Sequence, residues 1–449
     1  MAAIADKQPR QNLVIGLGRT GLSLVRHLLA RGESVAVVDS RVRPPMLERL
    51  NREYPAADWQ GPIPDQPPTG CERILLSPGV AADLPLLQQA RAQGLEVIGD
   101  VELFARHHKA PLVAVTGSNG KSTVVSLIAH LAGGEAAGVL AGGNLGQPAL
   151  DLLASEPKLC VLELSSFQLE STSSLDARVG VVLNVSEDHL DRHGDMDQYT
   201  AAKARLVGQS RTLVLNRDDP RVAAMAGDAS SVVWFGAGQP RGETEYGLLE
   251  ADDGLWLVRG ERRLVAADRL PLAGRHNQLN LLAALATLEL LGYAMDEVLA
   301  RLETFSGLPH RMQTVPSRDG RRWINDSKAT NLGATLAALA GLDAPVVLIA
   351  GGQPKGQDFA PLGPALARSA RGLVVIGEAA DQLSAVAPTD LPLRRAADMP
   401  AAVSAAAEMA HEGDVILLSP ACASFDQFRD FAARGQAFEQ AVQAREVRA

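Results

Sequence analysis

The clearest chemistry in the chain lies in Leu112-Val113-Ala114-Val115-Thr116-Gly117-Ser118-Asn119-Gly120-Lys121-Ser122-Thr123. A glycine-containing loop between an apolar run and a helical pattern turns its backbone N–H groups toward one point. The helix N-terminus there also favours an anion. Lys121 adds a mobile cation for terminal phosphates, and the hydroxyl of Ser122 suits a Mg2+ ion. Valine stands at position 115, where the full nucleotide-loop pattern has its first glycine, so this is a shortened loop.

Two further constellations bear on the same chemistry. Gly16-Leu17-Gly18-Arg19-Thr20-Gly21, with the acidic Asp39 ~20 residues on, writes out a dinucleotide-type fingerprint that recognises a diphosphate and not a nicotinamide. Asp39 can accept hydrogen bonds from a ribose or base, and a cation at Arg19 suits phosphate. Ser77-Pro78-Gly79 marks a sharp turn at the end of another strand, where open α/β sheets bind ligands. Glu163, at the end of the apolar run Leu159–Leu162, has the usual place of a Mg2+-holding acid beside a phosphate loop. Glu187, Asp188, His189, Asp191 and His193 crowd together after another core strand, Val179–Leu183. Lys203 reads from pattern alone as a surface lysine.

The elements that position these residues fall into three α/β units. The first alternates strands near 12–15, 34–38, 73–76 and 95–98 with helices, giving a small doubly wound, Rossmann-like domain over 1–99. The second, 100–307, is P-loop ATPase-like. From 212 to 272 its texture changes to short alternating segments that predict an antiparallel β excursion, before a helix through about residue 291. Gly307-Leu308-Pro309 reads as a hinge into a third, again Rossmann-like, unit over 308–449. Its polar loops follow the strands at 323–324, 346–349 and 415–418.

A length of 449 residues fits several domains, and 46% apolar with 21% charged residues is ordinary for a globular chain. The net charge of −9 argues against nucleic acid or an anionic membrane as the main partner. Three scattered cysteines exclude a disulfide framework or zinc site and read as buried thiols. No apolar stretch reaches membrane-span length and no signal core opens the chain, so a cytoplasmic location is expected. Taken singly, the first fingerprint fits a nicotinamide dehydrogenase, and the phosphate loop fits a nucleotide switch or transport ATPase.

Together the motifs resemble the Mur ligases, ATP-dependent enzymes that add amino acids to the muramoyl peptide precursor. The resemblance rests on Thr116–Thr123, Glu163-Leu164-Ser165-Ser166, Gly274-x-His276-Asn277-x-x-Asn280 and Leu308-Pro309-His310-Arg311. Asn325-Asp326-Ser327-Lys328-Ala329-Thr330-Asn331 and Ser419-Pro420-Ala421-Cys422-Ala423-Ser424 are similar to the branch that adds D-glutamate. The resemblance implies ATP, UDP-N-acetylmuramoyl-L-alanine and D-glutamate as partners, two Mg2+ sites, and a monomer. It implies that Gly18, Arg19, Thr20, Asp39, Ser40, Arg41, Ser77, Pro78 and Gly79 hold the UDP part. Asn144, Ser165 and His189 would line the muramoyl carboxylate. Thr116 through Thr123, with Asn277, Asn280, Arg311 and Asp326, would hold ATP. Metal ligands would be Ser122, Glu163, His189 and Lys203, the last as a carbamate. Lys328 would bridge phosphate and the reacting centre, and would join Thr330, Lys355, Ser424, Phe425 and Phe431 around D-glutamate.

Overall fold

A computed structural model describes residues 12–446, apart from 82, 145, 230, 271–273 and 318–319 and the side chains of 191 and 446. The first eleven residues of the expected N-terminal domain and the last three of the C-terminal one lie outside the described residues. Each of the three units is built on one sheet.

The first sheet is fully parallel, in the order Asp58–Gly61, Val35–Val38, Asn12–Ile15, Arg73–Leu76, Glu96–Gly99. Strand Asn12–Ile15 is buried on both faces, as its unbroken apolar run requires. The order reverses beside it, so the Gly-rich turn and the Ser77 turn open at the switch point where such sheets bind ligands. Helix Arg19–Ala30 starts in that turn. A Cβ on Gly21 would lie 1.9 Å from the carbonyl oxygen of Gly16, so only glycine permits this approach of helix to strand.

The second sheet has nine strands, with Leu112–Thr116 between Ala177–Val182 and Leu159–Glu163. The predicted antiparallel excursion over 212–272 needs correction. Ser210–Asn216 and Val232–Phe235 extend the sheet in parallel, and only Tyr246–Ala251, Gly254–Arg259 and Arg262–Ala266 form the antiparallel part. Their alternation is that of one-faced strands on the same sheet. Helix Arg275–Leu290 packs across the sheet against helix Lys121–Leu131, burying Leu281, Leu282, Leu285 and Leu288. The third sheet is parallel except at Gln313–Val315, in the order Gln313–Val315, Arg322–Asn325, Val415–Leu418, Val346–Gly351, Ala370–Ile376, Leu393–Arg395.

The apolar clusters divide unequally between the units. One runs from Val14, Leu24 and Leu28 in the first unit through Phe104 to Leu162 and Leu215 in the second. The two clusters that flank the third sheet draw their members from residues 312–442 alone. The first two units therefore share one apolar cluster, and the third has clusters of its own. All three cysteines are buried and unpaired, as expected. Among the described residues, no helix is long and apolar enough to cross a membrane.

Candidate active site

Strand Leu112–Thr116 delivers the phosphate loop at its C-terminal end, and the loop is braced before any ligand is considered. Thr116 Oγ1 donates to the Leu164 carbonyl at 2.9 Å and Ser118 Oγ to that of Ser186 at 2.9 Å. These two hydroxyls hold the loop rather than face its cavity. Gly120 caps the helix at φ +84°, and a Cβ there would sit 2.4 Å from Asn280 Oδ1. Lys121 Nζ donates to the carbonyls of Gly117 and Ser118, both at 2.8 Å.

Ser122 Oγ donates to Glu163 Oε2 at 2.5 Å, and Asn144 Nδ2 donates to the other carboxylate oxygen at 2.7 Å. Burial pushes the Glu163 pKa up, but the Lys121 charge and these hydrogen bonds outweigh it and hold the carboxyl below its usual range. A hydroxyl and an ionised carboxylate in contact are hard oxygen donors. Mg2+ takes one or two such protein ligands and fills its other positions with water and phosphate. The pair fits that ion.

Lys203 corrects the surface reading: it is 1% exposed. Its Nζ donates to the Gly117 carbonyl at 2.9 Å and lies 4.4 Å from the centre of the Tyr199 ring. Burial, then the nearby Lys121 charge, drives its pKa well below the usual lysine value. A neutral amine is the form that carbamylates, and as an amine this side chain is a donor with no ligand oxygen to offer. Among the described residues, no three His, Cys, Asp or Glu side chains gather as a metal cluster.

A cavity of about 290 Å³ opens between the phosphate loop and the third unit. Of the residues expected around ATP, it is lined by Asn119, Gly120, Thr123, Asn277, Asn280, Arg311 and Asp326, with Lys328 beside them. The helical spacing of Asn277 and Asn280 puts them on one face, where Asn280 Nδ2 donates to Asn277 Oδ1 at 3.2 Å. Arg311 reaches the phosphate loop itself: its Nη2 donates to Ser122 Oγ at 2.6 Å. Asp326 accepts from Ser419 Oγ at 3.0 Å, and burial raises its pKa to about 7. Asn184, Phe235 and His276 also line this cavity. The sequence signal for His276 was its place in the Gly274–Asn280 motif; nothing local distinguished Phe235.

A second cavity, about 720 Å³, is lined by Gly18, Arg19, Thr20, Asp39, Ser40, Arg41, Ser77, Pro78 and Gly79, with Asn144 from the central unit. Asp39 accepts from the backbone of Leu17 at 2.6 Å and from two nitrogens of Arg41 at 2.8 Å each. Burial opposes its ionisation, yet Arg41 and these backbone donors bring its pKa down to about 2. Gln168 lines this cavity and escaped the sequence reading, whereas Ser165 does not line it. Ser165 is instead the N-cap of helix Ser166–Glu170, with Gln168 completing a capping box.

His189 sits at φ +55° in a narrow cleft it shares with Thr330, Lys355 and Gln357 of the third unit. Lys328 Nζ lies 4.0 Å from the centre of the Phe431 ring, and burial lowers its pKa to about 8. Ser424 is buried, whereas the neighbouring Phe425 ring is 67% exposed. Ser424, Phe425 and Phe431 do not line the His189 cleft. Asn331 closes the seam: its amide exchanges hydrogen bonds with Asn119 and donates to Asp188 at 3.2 Å.

The three units, each built on one sheet, agree with domain models that match in the same order. The Mur ligase MurD-like N-terminal domain matches residues 10–99, the Mur ligase middle domain 115–288, and the Mur ligase glutamate ligase domain 310–422. The chain belongs to the Mur ligase family. Within it, the chain is 50% identical over 435 residues, 96% of both chains, to the Nitrosococcus oceani protein named UDP-N-acetylmuramoylalanine–D-glutamate ligase. It is 45% identical over 448 residues, 99% of both, to the protein of that name from Pseudomonas aeruginosa. The fold is similar to UDP-N-acetylmuramate–alanine ligase MurC from Thermotoga maritima, with TM-score 0.62 at 18% identity, over 97% of this chain and 99% of that one.

Proposed function

We propose that this Mur ligase joins D-glutamate to UDP-N-acetylmuramoyl-L-alanine with cleavage of ATP to ADP and phosphate. The observation that carries the reading is the cleft where His189 meets Thr330 and Lys355, joined to the phosphate loop through Asp188, Asn331 and Asn119. An enzyme that forms an amide must bring a carboxylate, a γ-phosphate and an amine to one point. The full-length identity to relatives bearing that name supports the choice of substrates.

A carboxylate is a poor acyl donor, so its oxygen first attacks the γ-phosphorus of ATP and ADP leaves. The amine of D-glutamate then attacks the acyl carbon, and phosphate departs with the oxygen that came from the carboxylate. Lys121 and the loop N–H groups neutralise charge on the transferring phosphoryl group. Arg311 holds Ser122, and Lys328 faces the centre where phosphate leaves. Thr330, Lys355, Ser424, Phe425 and Phe431 orient D-glutamate, and Asn144 and His189 orient the acceptor carboxylate. Ser122 and Glu163 would hold one Mg2+, and His189 with carbamylated Lys203 a second. The metal ions supply charge neutralisation for phosphate oxygens.

We take the units as 1–99 for the UDP substrate, 100–307 for ATP and 308–449 for the amino acid. The enzyme is read as a cytoplasmic monomer that binds neither nucleic acid nor membrane. Acceptor carrying ¹⁸O in its carboxylate should give one labelled oxygen in the phosphate released with D-glutamate. Unlabelled phosphate would overturn the acyl-phosphate route.

A further inference from the structure

We propose that Arg192 is a positioning residue that ties the UDP-binding loop of the first unit to His189 of the second. The proposal rests on the function just given, and it deepens that reading by naming how one substrate edge sets another.

The contacts form an unbroken path. Ser77 Oγ donates to the Gly16 carbonyl at 2.8 Å, fastening the Ser77 turn to the Gly-rich turn. The turn closes with the Val80 N–H donating to the Ser77 carbonyl at 3.0 Å. Arg192 Nη1 then donates to the Val80 carbonyl at 2.7 Å, across the boundary between the units. Ser77, Pro78, Gly79 and Val80 all line the UDP cavity, so the loop that Arg192 grips is a wall of that site.

On its other side Arg192 belongs to the His189 segment. The backbone N–H groups of Arg192 and His193 both donate to the His189 carbonyl, at 3.0 and 3.1 Å. The guanidinium lies 4.8 Å from the centre of the Phe167 ring. The same ring meets His189 edge-on at 5.0 Å and stacks on His193 at 5.4 Å. His193 is in turn held by Ser166 Oγ at 2.9 Å. His189 has a left-handed backbone, a conformation that persists only where its surroundings over-determine it. The guanidinium over Phe167 and its bond to Val80 supply that constraint. The Glu170 carboxylate, 3.4 Å from Arg192 Nη2, is too loose and too exposed to be the main reason for the residue.

The test uses the full chain with Arg192→Met and Arg192→Lys. Arg192→Met should raise KM for UDP-N-acetylmuramoyl-L-alanine about 10-fold and lower kcat about 10-fold, with KM for ATP and D-glutamate within about 2-fold. The thermal midpoint should not move. Arg192→Lys should recover part of kcat, because an ammonium can reach the Val80 carbonyl but cannot cover the ring as a planar group does. An arm independent of activity follows amide exchange over 186–193 with UDP as probe. UDP should slow exchange in the parent and leave it unchanged in Arg192→Met. Kinetic constants that all move together, or UDP protection retained in Arg192→Met, would overturn the proposal. A parent that turns over no D-glutamate yet shows the UDP effect only with Arg192 present would sink the functional reading and leave this one standing.

Discussion

The guanidinium of Arg311 donates to the hydroxyl of Ser122 at 2.6 Å, while that hydroxyl donates to Glu163 at 2.5 Å. A cation from beyond the Gly307 hinge is thus wired to the phosphate loop and its acidic partner. Arg311→Lys keeps the charge but loses the planar fork. Its kcat should fall about 10- to 100-fold, with UDP-substrate affinity by calorimetry unchanged. Weakened UDP-substrate binding with normal turnover would place Arg311 elsewhere in the mechanism.

Lys121→Ala should abolish ADP release while leaving binding of the UDP substrate intact. Most of the UDP cavity is built on the first sheet, whereas Lys121 donates to the Gly117 and Ser118 carbonyls of its own loop. Fluorescence titration of both ligands checks this, and joint loss of both would contradict the separation.

Lys203→Ala should be inactive and should regain part of its turnover when acetate or formate is added. A buried lysine with a lowered pKa is ready to form a carbamate, and a small carboxylate can replace the two oxygens so lost. Absence of rescue across a wide concentration range would count against the carbamate.

Lys328 gives opposite pH signs for activity and stability. Its pKa in the fold is about 8, lowered from 10.5 first by burial and then by the Arg311 charge. Between those values the unfolded chain binds more protons, so this group makes the fold more stable as pH rises. Activity runs the other way, because the ammonium is lost as pH rises through about 8. The profile of kcat/KM should fall above about 8 while the melting temperature gains from this residue. The residual activity of Lys328→Arg should lack that limb. The same limb in Lys328→Arg would assign it to another group.

Gly21→Ala should damage the first unit selectively. Its Cβ would meet the Gly16 carbonyl oxygen at 1.9 Å, so the helix must retreat from the diphosphate turn. A loss of about 1–3 kcal/mol in denaturant unfolding is expected, with weakened UDP-substrate binding and normal ATP binding. Equal loss of both ligands would mean that the strain spreads beyond this turn.

The strands were the most legible part of the chain, because strands buried on both faces are written as short valine- and leucine-rich runs. Asn12–Ile15, Arg73–Leu76 and Val415–Leu418 fall where those runs predict. Asp58–Gly61 and Leu393–Arg395 did not announce themselves, being edge strands with polar or exposed residues. Ser210–Asn216 is parallel although it overlaps the stretch predicted as antiparallel, because sheet direction depends on a connection, not on local alternation.

Motifs located the site residues better than they located the directions in which side chains point. Ser165 stands in a signature yet spends its hydroxyl on a helix cap. Lys203 looks like a surface lysine because, apart from it, only Tyr199 and Ala202 of the nine residues of helix Met196–Ala204 are buried, too few to write an apolar stripe; only the fold brings it under Gly117. Arg192 matters through the Val80 carbonyl, and Gln168 through a cavity it shares with the first unit, neither of which a local window contains.

The central claim is that three edges converge on one amide-forming step, and ADP release measured across a panel of acceptors and amino acids tests it most directly. ADP in excess of one equivalent per enzyme should appear only when ATP, UDP-N-acetylmuramoyl-L-alanine and D-glutamate are all present. Repeated turnover to ADP with L-alanine and the unextended UDP-muramoyl acceptor, or without any amino acid, would contradict the account.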